Sequence, residues 1–309
     1  MTVQFIINWI ATTPQFALPL LLACVGLIIS ERAGILNLGA EGFMAVGALT
    51  AVIVSHDFGT PWWGLVAGIV AGTGLALLFG IAVVVFRTEQ VLSGLTVVAL
   101  GAGITGVAGR SYMHQTVKGI DKLDLGFLAK LPAVGKILFV QDPIVYIGVA
   151  IVVGLWWFLY RSSLGLQLRA VGEDPATADV AGVDVAAYRI SAVLVSGALC
   201  GLSGAYLSVV SSQVWVEGMI AGRGWIAVAL VIFARWNPLR AVFGAILFGG
   251  ADALTPRLLA IGADVPVYLM NMLPYAVTLM VLIAPTVLKR EVSAEPTALG
   301  TVYLRQDRH

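Results

Sequence analysis

The chain has 309 residues, of which 59% are hydrophobic and only 11% are charged. Soluble domains carry about 25% charged residues, so this sequence lacks the charged surface that keeps a soluble fold dispersed. The net charge of +1 supplies no positive field for binding nucleic acid. We therefore expect lipid to be the solvent for most of the surface.

Metal, cofactor and catalytic sites have no recognisable pattern in the sequence. Cys24 and Cys200 lie inside apolar runs, and the three histidines are scattered without metal-ligand spacing. The phosphate loop G-x-x-x-x-G-K-[ST] does not occur. We expect no catalytic residue, metal or cofactor in this chain. If its transport is driven by ATP, the ATP must therefore bind to a separate ATPase.

Apolar runs predict an all-α fold, a polytopic membrane bundle of about 8–10 transmembrane helices with short or discontinuous segments. The short pair 224–236 and 239–254 fits either two tilted helices or a re-entrant feature. The predicted transmembrane domain is 1–288. Its candidate spans are 14–30, 35–55, 62–86, 89–109, 143–160, 189–210, 224–236, 239–254 and 267–288.

Lys and Arg residues near the span ends predict which side faces the cytoplasm. Most of them collect on the side that holds the loop 161–189 and the tail 289–309, which we expect to be cytoplasmic. The loop 110–142 is then extracytoplasmic, and the N-terminus lies outside. Tryptophans near span ends, Trp215 and Trp236 among them, are typical of an interfacial belt.

Glycines recur at helical spacing in two predicted spans. Gly64, Gly68 and Gly72 lie four residues apart, as do Gly197 and Gly201. Small residues at this spacing let helices approach closely in lipid, so they predict a tightly packed bundle.

Polar residues inside the spans are the candidates for a solute path, because charge in the membrane marks a pathway, a pair or a cavity. Asn37 and Glu41 follow a glycine-interrupted stretch and would share one face if helical; the alternative is an interfacial loop before an ordinary helix. Gln90 and Ser93 form a polar stripe, which interhelical hydrogen bonding would also explain.

The C-terminal half adds further polar candidates for the path. Asn271 lies in the last predicted span, four residues before Tyr275. Asp252 follows a long apolar stretch, and it either lies in the path or pairs with Arg257 at the outer interface. Glu217 and Arg223 flank the start of the span at 224.

The cytoplasmic loop contains a short capped helix. Asp174 is a good N-cap, Pro175 suits the first helical position and Gly182 suits the residue after the last turn. A helix held outside the bilayer indicates either a docking element for a soluble partner or an ordinary connector.

Four stretches resemble the permease subunits of ABC importers in the branched-chain amino acid, ribose and nucleoside superfamily, and they are most similar to its nucleoside/simple-sugar branch. The stretches are 31–42 (ERAGILNLGAEG), 89–95 (EQVLSGL), 165–182 (GLQLRAVGEDPATADVAG) and 222–239 (GRGWIAVALVIFARWNPL). With the span layout, the resemblance covers nearly the whole chain.

The resemblance implies an inner-membrane permease that works with an ABC ATPase, an extracytoplasmic substrate-binding protein and a second permease, expected to be a different paralogue. Helix 174–182 would be the coupling helix seated on the ATPase, with ATP-driven closure switching the access of the cavity. The residues implied for this coupling are Arg169, Gly172, Glu173, Asp174, Pro175 and Gly182.

The function expected from the sequence is therefore ATP-driven import of a nucleoside or related small polar solute. A simple sugar, a riboflavin-like molecule or a branched-chain amino acid is the alternative within the superfamily. An ion-coupled secondary transporter is the alternative of another class, with Glu41 and Asp252 as ion sites.

Overall fold

Helices make up nearly all of the computed structural model, which describes residues 2–124, 139–260 and 294–304 and the single positions 135, 137, 272, 276, 279, 280 and 283. In these residues, six helices are long and apolar enough to cross a membrane. The prediction of an all-α polytopic bundle is confirmed.

The helices follow the predicted spans in chain order. Two of them, α3 and α8, continue as π-helical turns over Ile81–Val85 and Tyr206–Ser211. Strands β1 (Leu123–Asp124) and β2 (Val140–Gln141) form an antiparallel pair. The helices are α1 (Thr2–Arg32), α2 (Ala40–Phe58), α3 (Pro61–Gly80), α4 (Gln90–Ala108), α5 (Pro143–Arg161), α6 (Ser163–Glu173), α7 (Pro175–Val180), α8 (Val185–Ala205), α9 (Arg223–Ala234) and α10 (Pro238–Ala260).

Helices α9 and α10 resolve the ambiguity of the short pair. Helix α9 has 12 residues, about 18 Å at 1.5 Å per residue, which is too short for a hydrocarbon core of about 30 Å. Helix α10 has 23 residues and is among the six long apolar helices. The pair is thus one half-length helix and one full span. The predicted span 267–288 lies outside the described residues, apart from single positions.

The centre of the bundle is a glycine-lined contact between α2, α3 and α8. A Cβ atom on Gly72 would lie 2.4 Å from the carbonyl oxygen of Gly197, and one on Gly201 would lie 2.3 Å from that of Gly68. Gly47 of α2 is equally close to Gly201, at 2.5 Å. The helices therefore touch backbone to backbone, as the glycine spacing predicts.

Buried hydroxyl groups tie the helices together where the backbone is interrupted. Ser203 of α8 donates to the carbonyl of Pro19 in α1 at 2.6 Å. Ser208, in the π-helical turn after α8, donates to the carbonyl of Ala48 in α2 at 2.8 Å. In an apolar solvent such bonds satisfy polar groups that would otherwise be costly to bury.

At the predicted cytoplasmic end of the bundle, Trp236 bonds to the end of α1. Its indole Nε1 donates to Glu31 at 2.6 Å, and its carbonyl accepts from Arg32 at 3.2 Å. Trp236 is 7% exposed and Trp215 is 2% exposed, so neither belongs to an interfacial belt. The Trp236 indole packs at the end of α1, and the Trp215 indole packs against Gly109 at the end of α4.

Candidate functional site

The backbone between α1 and α2 is broken at membrane depth. Residues 33–39 are non-helical, with Gly34 at a φ of +86°. Asn37, fully buried in this segment, donates from Nδ2 to Ser196 Oγ at 3.1 Å, and its Oδ1 accepts from the N–H of Gly39 at 3.0 Å. Asn37 and Glu41 therefore do not share a helix face, because α2 begins only at Ala40.

Glu41 joins the N-termini of two helices. It lies in the first turn of α2, and its carboxylate accepts the backbone N–H of Gly222 at 2.8 Å and that of Gly224 at 2.7 Å. These N–H groups open α9, where the helix dipole favours a negative charge. A Cβ atom on Gly224 would lie 2.6 Å from the Glu41 carboxylate, so only glycine permits this approach.

A cleft of about 190 Å³ lies beside this junction. Helix α2, helix α4 and the segment 215–221 form its walls. Its lining combines apolar side chains with a few polar groups, a composition typical of small-molecule sites. The lining residues used below are Glu41, Val98, Ala102, Thr105, Trp215, Glu217 and Met219.

Two polar side chains of the cleft belong to the loop that leads into α9. Trp215 Nε1 is buried and has no hydrogen-bond partner among the residues that the structure describes, although the carbonyl of Trp215 accepts from the N–H of His114 at 3.1 Å. Glu217 is exposed. Together they offer a solute one donor and one carboxylate acceptor. From the sequence, Trp215 is interpreted as an interfacial anchor and Glu217 as a charge that flanks a span. The signal that could have identified them is a pair of polar side chains two residues apart, next to a span of half the usual length.

Gln90 and Ser93 lie away from the cleft. Gln90 is 2% exposed, and its Oε1 accepts the N–H of Leu36 at 2.7 Å. Ser93 donates to the carbonyl of Glu89 at 2.7 Å, in the turn that the Glu89 carboxylate caps. Among the predicted pathway residues that the structure describes, only Glu41 lines the cleft. Asn271 lies outside the described residues.

Asp252 pairs with a different residue from the one proposed on sequence grounds. Its carboxylate lies 3.2 Å from Arg223 at the start of α9, whereas Arg257 bonds to Thr12 at 3.4 Å. The expected pair between Asp252 and Arg257 is therefore wrong. The reason is geometric, because the half-length α9 brings its first turn to the level of Asp252.

The predicted capped helix is present as α7. Asp174 Oδ1 accepts the N–H groups of Ala176 at 3.0 Å and of Thr177 at 3.1 Å, and the Thr177 hydroxyl donates to Oδ2. This hydroxyl and these amides hold the pKa of Asp174 below its ordinary value. Pro175 opens the helix, and Gly182 follows it at a φ of +84°.

Helix α7 has one packed face and one free face. Ala178 is 4% exposed and packs against Val171 and Val185. Val180, in contrast, is 75% exposed. The helix is thus fixed to the bundle on one side and presents an apolar residue on the other.

The remaining predicted coupling residues lie on α6, a helix that the sequence analysis left within the loop 161–189. Gly172 packs so closely that a Cβ atom would lie 2.1 Å from the carbonyl oxygen of Arg32. The Arg169 guanidinium lies 5.1 Å from the ring centroid of Tyr160. Glu173 is exposed, with one carboxylate oxygen 3.9 Å from Arg32. The signal for α6 was Ser162, whose hydroxyl caps it at Gly165.

Comparison with known proteins agrees with this architecture. Residues 10–283 match the family described as branched-chain amino acid transport system / permease component. The putative glucose ABC transporter permease protein TsgC13 of Haloferax volcanii is 39% identical, over 98% of this chain and 99% of its own length. No solved structure matches the chain.

Two further relatives have nucleosides in their names. The guanosine ABC transporter permease protein NupQ of Bacillus subtilis is 32% identical over 91% of this chain and 92% of its own length. The nucleoside ABC transporter permease protein NupC of Lactococcus lactis is 33% identical over 86% of this chain and 88% of its own length. With the membrane bundle and its discontinuous helices, these matches place the chain in the branched-chain amino acid transport system / permease component family, as the multi-pass inner-membrane permease subunit of an ABC importer whose ATP is hydrolysed by a separate ATPase.

Proposed function

We propose that this permease translocates nucleosides through the cleft beside Glu41. The observation that carries the proposal is the lining of the cleft. Val98, Ala102 and Met219 give it an apolar wall for the face of a base, while Trp215 Nε1 and Glu217 offer hydrogen bonds to ribose or to a base edge. A hexose offers this wall only the small C–H faces between its hydroxyl groups, whereas a base offers a flat face that is larger and less polar.

The relatives support both solute classes, so the substrate must be decided by experiment. NupQ and NupC are named for guanosine and for nucleosides. TsgC13 is named for glucose and has the higher identity. A hexose is thus the competing substrate.

The proposal includes the way in which ATP hydrolysis reaches the cleft. Helix α7 acts as the coupling helix, with the exposed Val180 seated on the ATPase. Closure of the ATPase moves α7, and the bundle then changes access to the cleft from one side of the membrane to the other. The substrate arrives on an extracytoplasmic binding protein.

Uptake by the reconstituted importer tests the substrate. Proteoliposomes containing the permeases and the ATPase, supplied with the binding protein, should accumulate labelled guanosine when ATP is present, and glucose should not compete. Trp215→Phe keeps an aromatic side chain, although a smaller one, and removes the indole N–H, so uptake should fall by a factor of about two to ten. Trp157→Phe, at a site 59% exposed on α5, is the matched control.

The opposite results would reject the nucleoside assignment. Glucose accumulation without guanosine accumulation makes the chain a hexose permease. Equal uptake by the Trp215→Phe and Trp157→Phe variants removes Trp215 from the solute path.

Gly182 provides the test of coupling. Its φ of +84° is open to glycine and asparagine but not to proline, whose φ is fixed near −65°. Gly182→Pro should therefore distort the end of α7 and lower uptake per ATP hydrolysed, whereas Gly182→Asn should retain it. Normal coupling in the proline variant would contradict the assignment of α7.

A further inference from the structure

Residues 294–304, here called the C-terminal strap, lie across the cytoplasmic end of the bundle. The strap attaches first to the end of α6. The N–H of Ala298 donates to the carbonyl of Gly172 at 3.0 Å. Thr297 donates to the Glu173 carboxylate from its N–H at 3.3 Å and from its hydroxyl at 3.0 Å. The strap is thus bonded through its backbone to the helix that precedes α7.

The strap also contacts α7 itself. The Tyr303 hydroxyl donates to Asp179 Oδ2 at 3.1 Å, and the Tyr303 ring packs against the small apolar cluster under α7 that contains Ala178. The strap is therefore attached at two separate points to the cytoplasmic helices α6 and α7.

At its middle, the strap bonds to the broken backbone between α1 and α2. The N–H of Gly300 donates to the carbonyl of Gly34 at 3.2 Å. A Cβ atom on Gly34 would lie 3.3 Å from the carbonyl oxygen of Ala298 and 3.5 Å from the Cα atom of Gly172. Helix α6, the strap and the segment 33–39 therefore meet at one backbone junction, which leaves little room for a side chain at Gly34.

Two further bonds join the strap to α4 and α8. Gln90, whose Oε1 holds Leu36, donates from Nε2 to the carbonyl of Thr301 at 3.5 Å. Arg189 of α8 donates to the same carbonyl at 3.3 Å. Arg189 is 4% exposed, and within the described residues its Nε and Nη2 atoms have no hydrogen-bond partner. This buried guanidinium could therefore lose the carbonyl of Thr301 only at a cost in free energy.

We propose that the C-terminal strap transmits the motion of α6 and α7 to the segment 33–39, and so to Glu41 and the cleft. The strap moves as one unit with α6, α7 and Gly34, and its bond to Gln90 is the longest of those that hold it. The segment 33–39 leads directly into the first turn of α2, so a displacement at Gly34 reaches Glu41 within that turn. This inference rests on the assignment of α7 as the coupling helix.

Truncation of the chain in the complete importer tests the strap. A stop after residue 293 removes the strap, and a stop after residue 304 is the matched control that keeps it. Without the strap, uptake per ATP hydrolysed should fall about fivefold or more, the size of a typical allosteric coupling, while ATP hydrolysis continues. The control should couple normally. Full coupling in the shorter chain would overturn the inference.

A cross-link keeps the test decisive if the shorter chain does not assemble. Thr297→Cys with Glu173→Cys places two thiols at facing positions whose native side chains bond. A short, reducible reagent that reacts with both thiols spans the gap left by the shorter cysteine side chains, and the native Cys24 and Cys200 are buried. If the strap moves with α6, the cross-linked protein should transport as well as the untreated one. A block that is relieved by reducing the linker would show that the strap must detach, which overturns the inference.

The coupling assignment and the strap fail in different ways. If Gly182→Pro leaves coupling intact, α7 is not the coupling helix. If Gly182→Pro uncouples the importer while the chain ending at residue 293 transports normally, α7 keeps its role and the strap alone loses it.

Discussion

At the scale of single residues, Glu41 is both a structural and a lining group. Its two carboxylate oxygens accept the first N–H groups of α9, and its side chain reaches the cleft. A hydrogen bond to a charged group contributes about 1.5–3 kcal/mol. The same carboxylate therefore fixes the wall of the path and presents charge to it.

A comparison of Glu41→Gln with Glu217→Gln should separate the structural role of Glu41 from its role in lining the cleft. The amide keeps one acceptor oxygen but sets an NH₂ group against a backbone N–H, so the variant should unfold at a lower temperature and transport less. Glu217→Gln changes a carboxylate of the same cleft that makes no such bond within the described residues. The unfolding temperature of this variant should stay unchanged, and only its uptake should fall.

Thermal unfolding in detergent and uptake in proteoliposomes measure the two effects. An unchanged unfolding temperature for Glu41→Gln would mean that the bonds to Gly222 and Gly224 contribute nothing to stability. Equal loss of stability in both variants would mean that the cleft, and not the junction of α2 with α9, is the sensitive element.

Sequence reasoning identified Glu41 but not its neighbours in the cleft. An intramembrane carboxylate is visible from hydropathy alone, because its burial demands a partner. The partner is the N-terminus of α9, which reaches Glu41 only because the chain reverses direction before α9. No local sequence pattern indicates this reversal. Asn37 and Gln90 satisfied the same criterion of a buried polar side chain, yet the structure uses both to hold backbone amides.

At the scale of elements, the bundle depends on helices that touch through glycine. Gly201 is a central example, because it meets both Gly68 and Gly72 of α3. Gly201→Ala should force α3 and α8 apart and lower stability by about 1–3 kcal/mol, the usual effect of overpacking.

Gly103 is the matched control for Gly201. It lies within α4, and a Cβ atom there would have no neighbour within 4 Å. Gly103→Ala should leave the unfolding temperature unchanged or raise it, because alanine favours helix. Equal unfolding temperatures for the two variants would refute close packing at α3 and α8.

The elements were predictable where length and hydropathy determine them, and less so where they are short. Full spans such as α3 and α5 follow from apolar runs, since lipid demands continuous helix. Helix α6 was missed because its 11 residues have low hydropathy and the helix owes its position to packing on α1. Helix α9 was left ambiguous because a half-span and a tilted span have the same composition.

At the scale of the whole molecule, the cleft is incomplete in a single chain. Its wall includes Glu217 and Ala102, which are both exposed. Lipid cannot cover the carboxylate of Glu217 cheaply, which favours a second protein surface beside the cleft. Membership of the family implies an ATPase and a substrate-binding protein as partners, and the proposed second permease would supply this surface.

Native mass spectrometry of the complex, purified in mild detergent, should therefore find one copy of this chain beside one copy of a different permease, together with the ATPase.

Ala102→Cys, on the open side of the cleft, should cross-link to that second permease, since the proposed path closes between the two. Val153→Cys is the control, because Val153 is 50% exposed on α5 and does not line the cleft. A complex with two copies of this chain, joined through Ala102→Cys, would replace the heterodimer by a homodimer whose path is closed by a second Glu217. A complex in which one copy of this chain is the sole permease would contradict the closure of the cleft by a second protein.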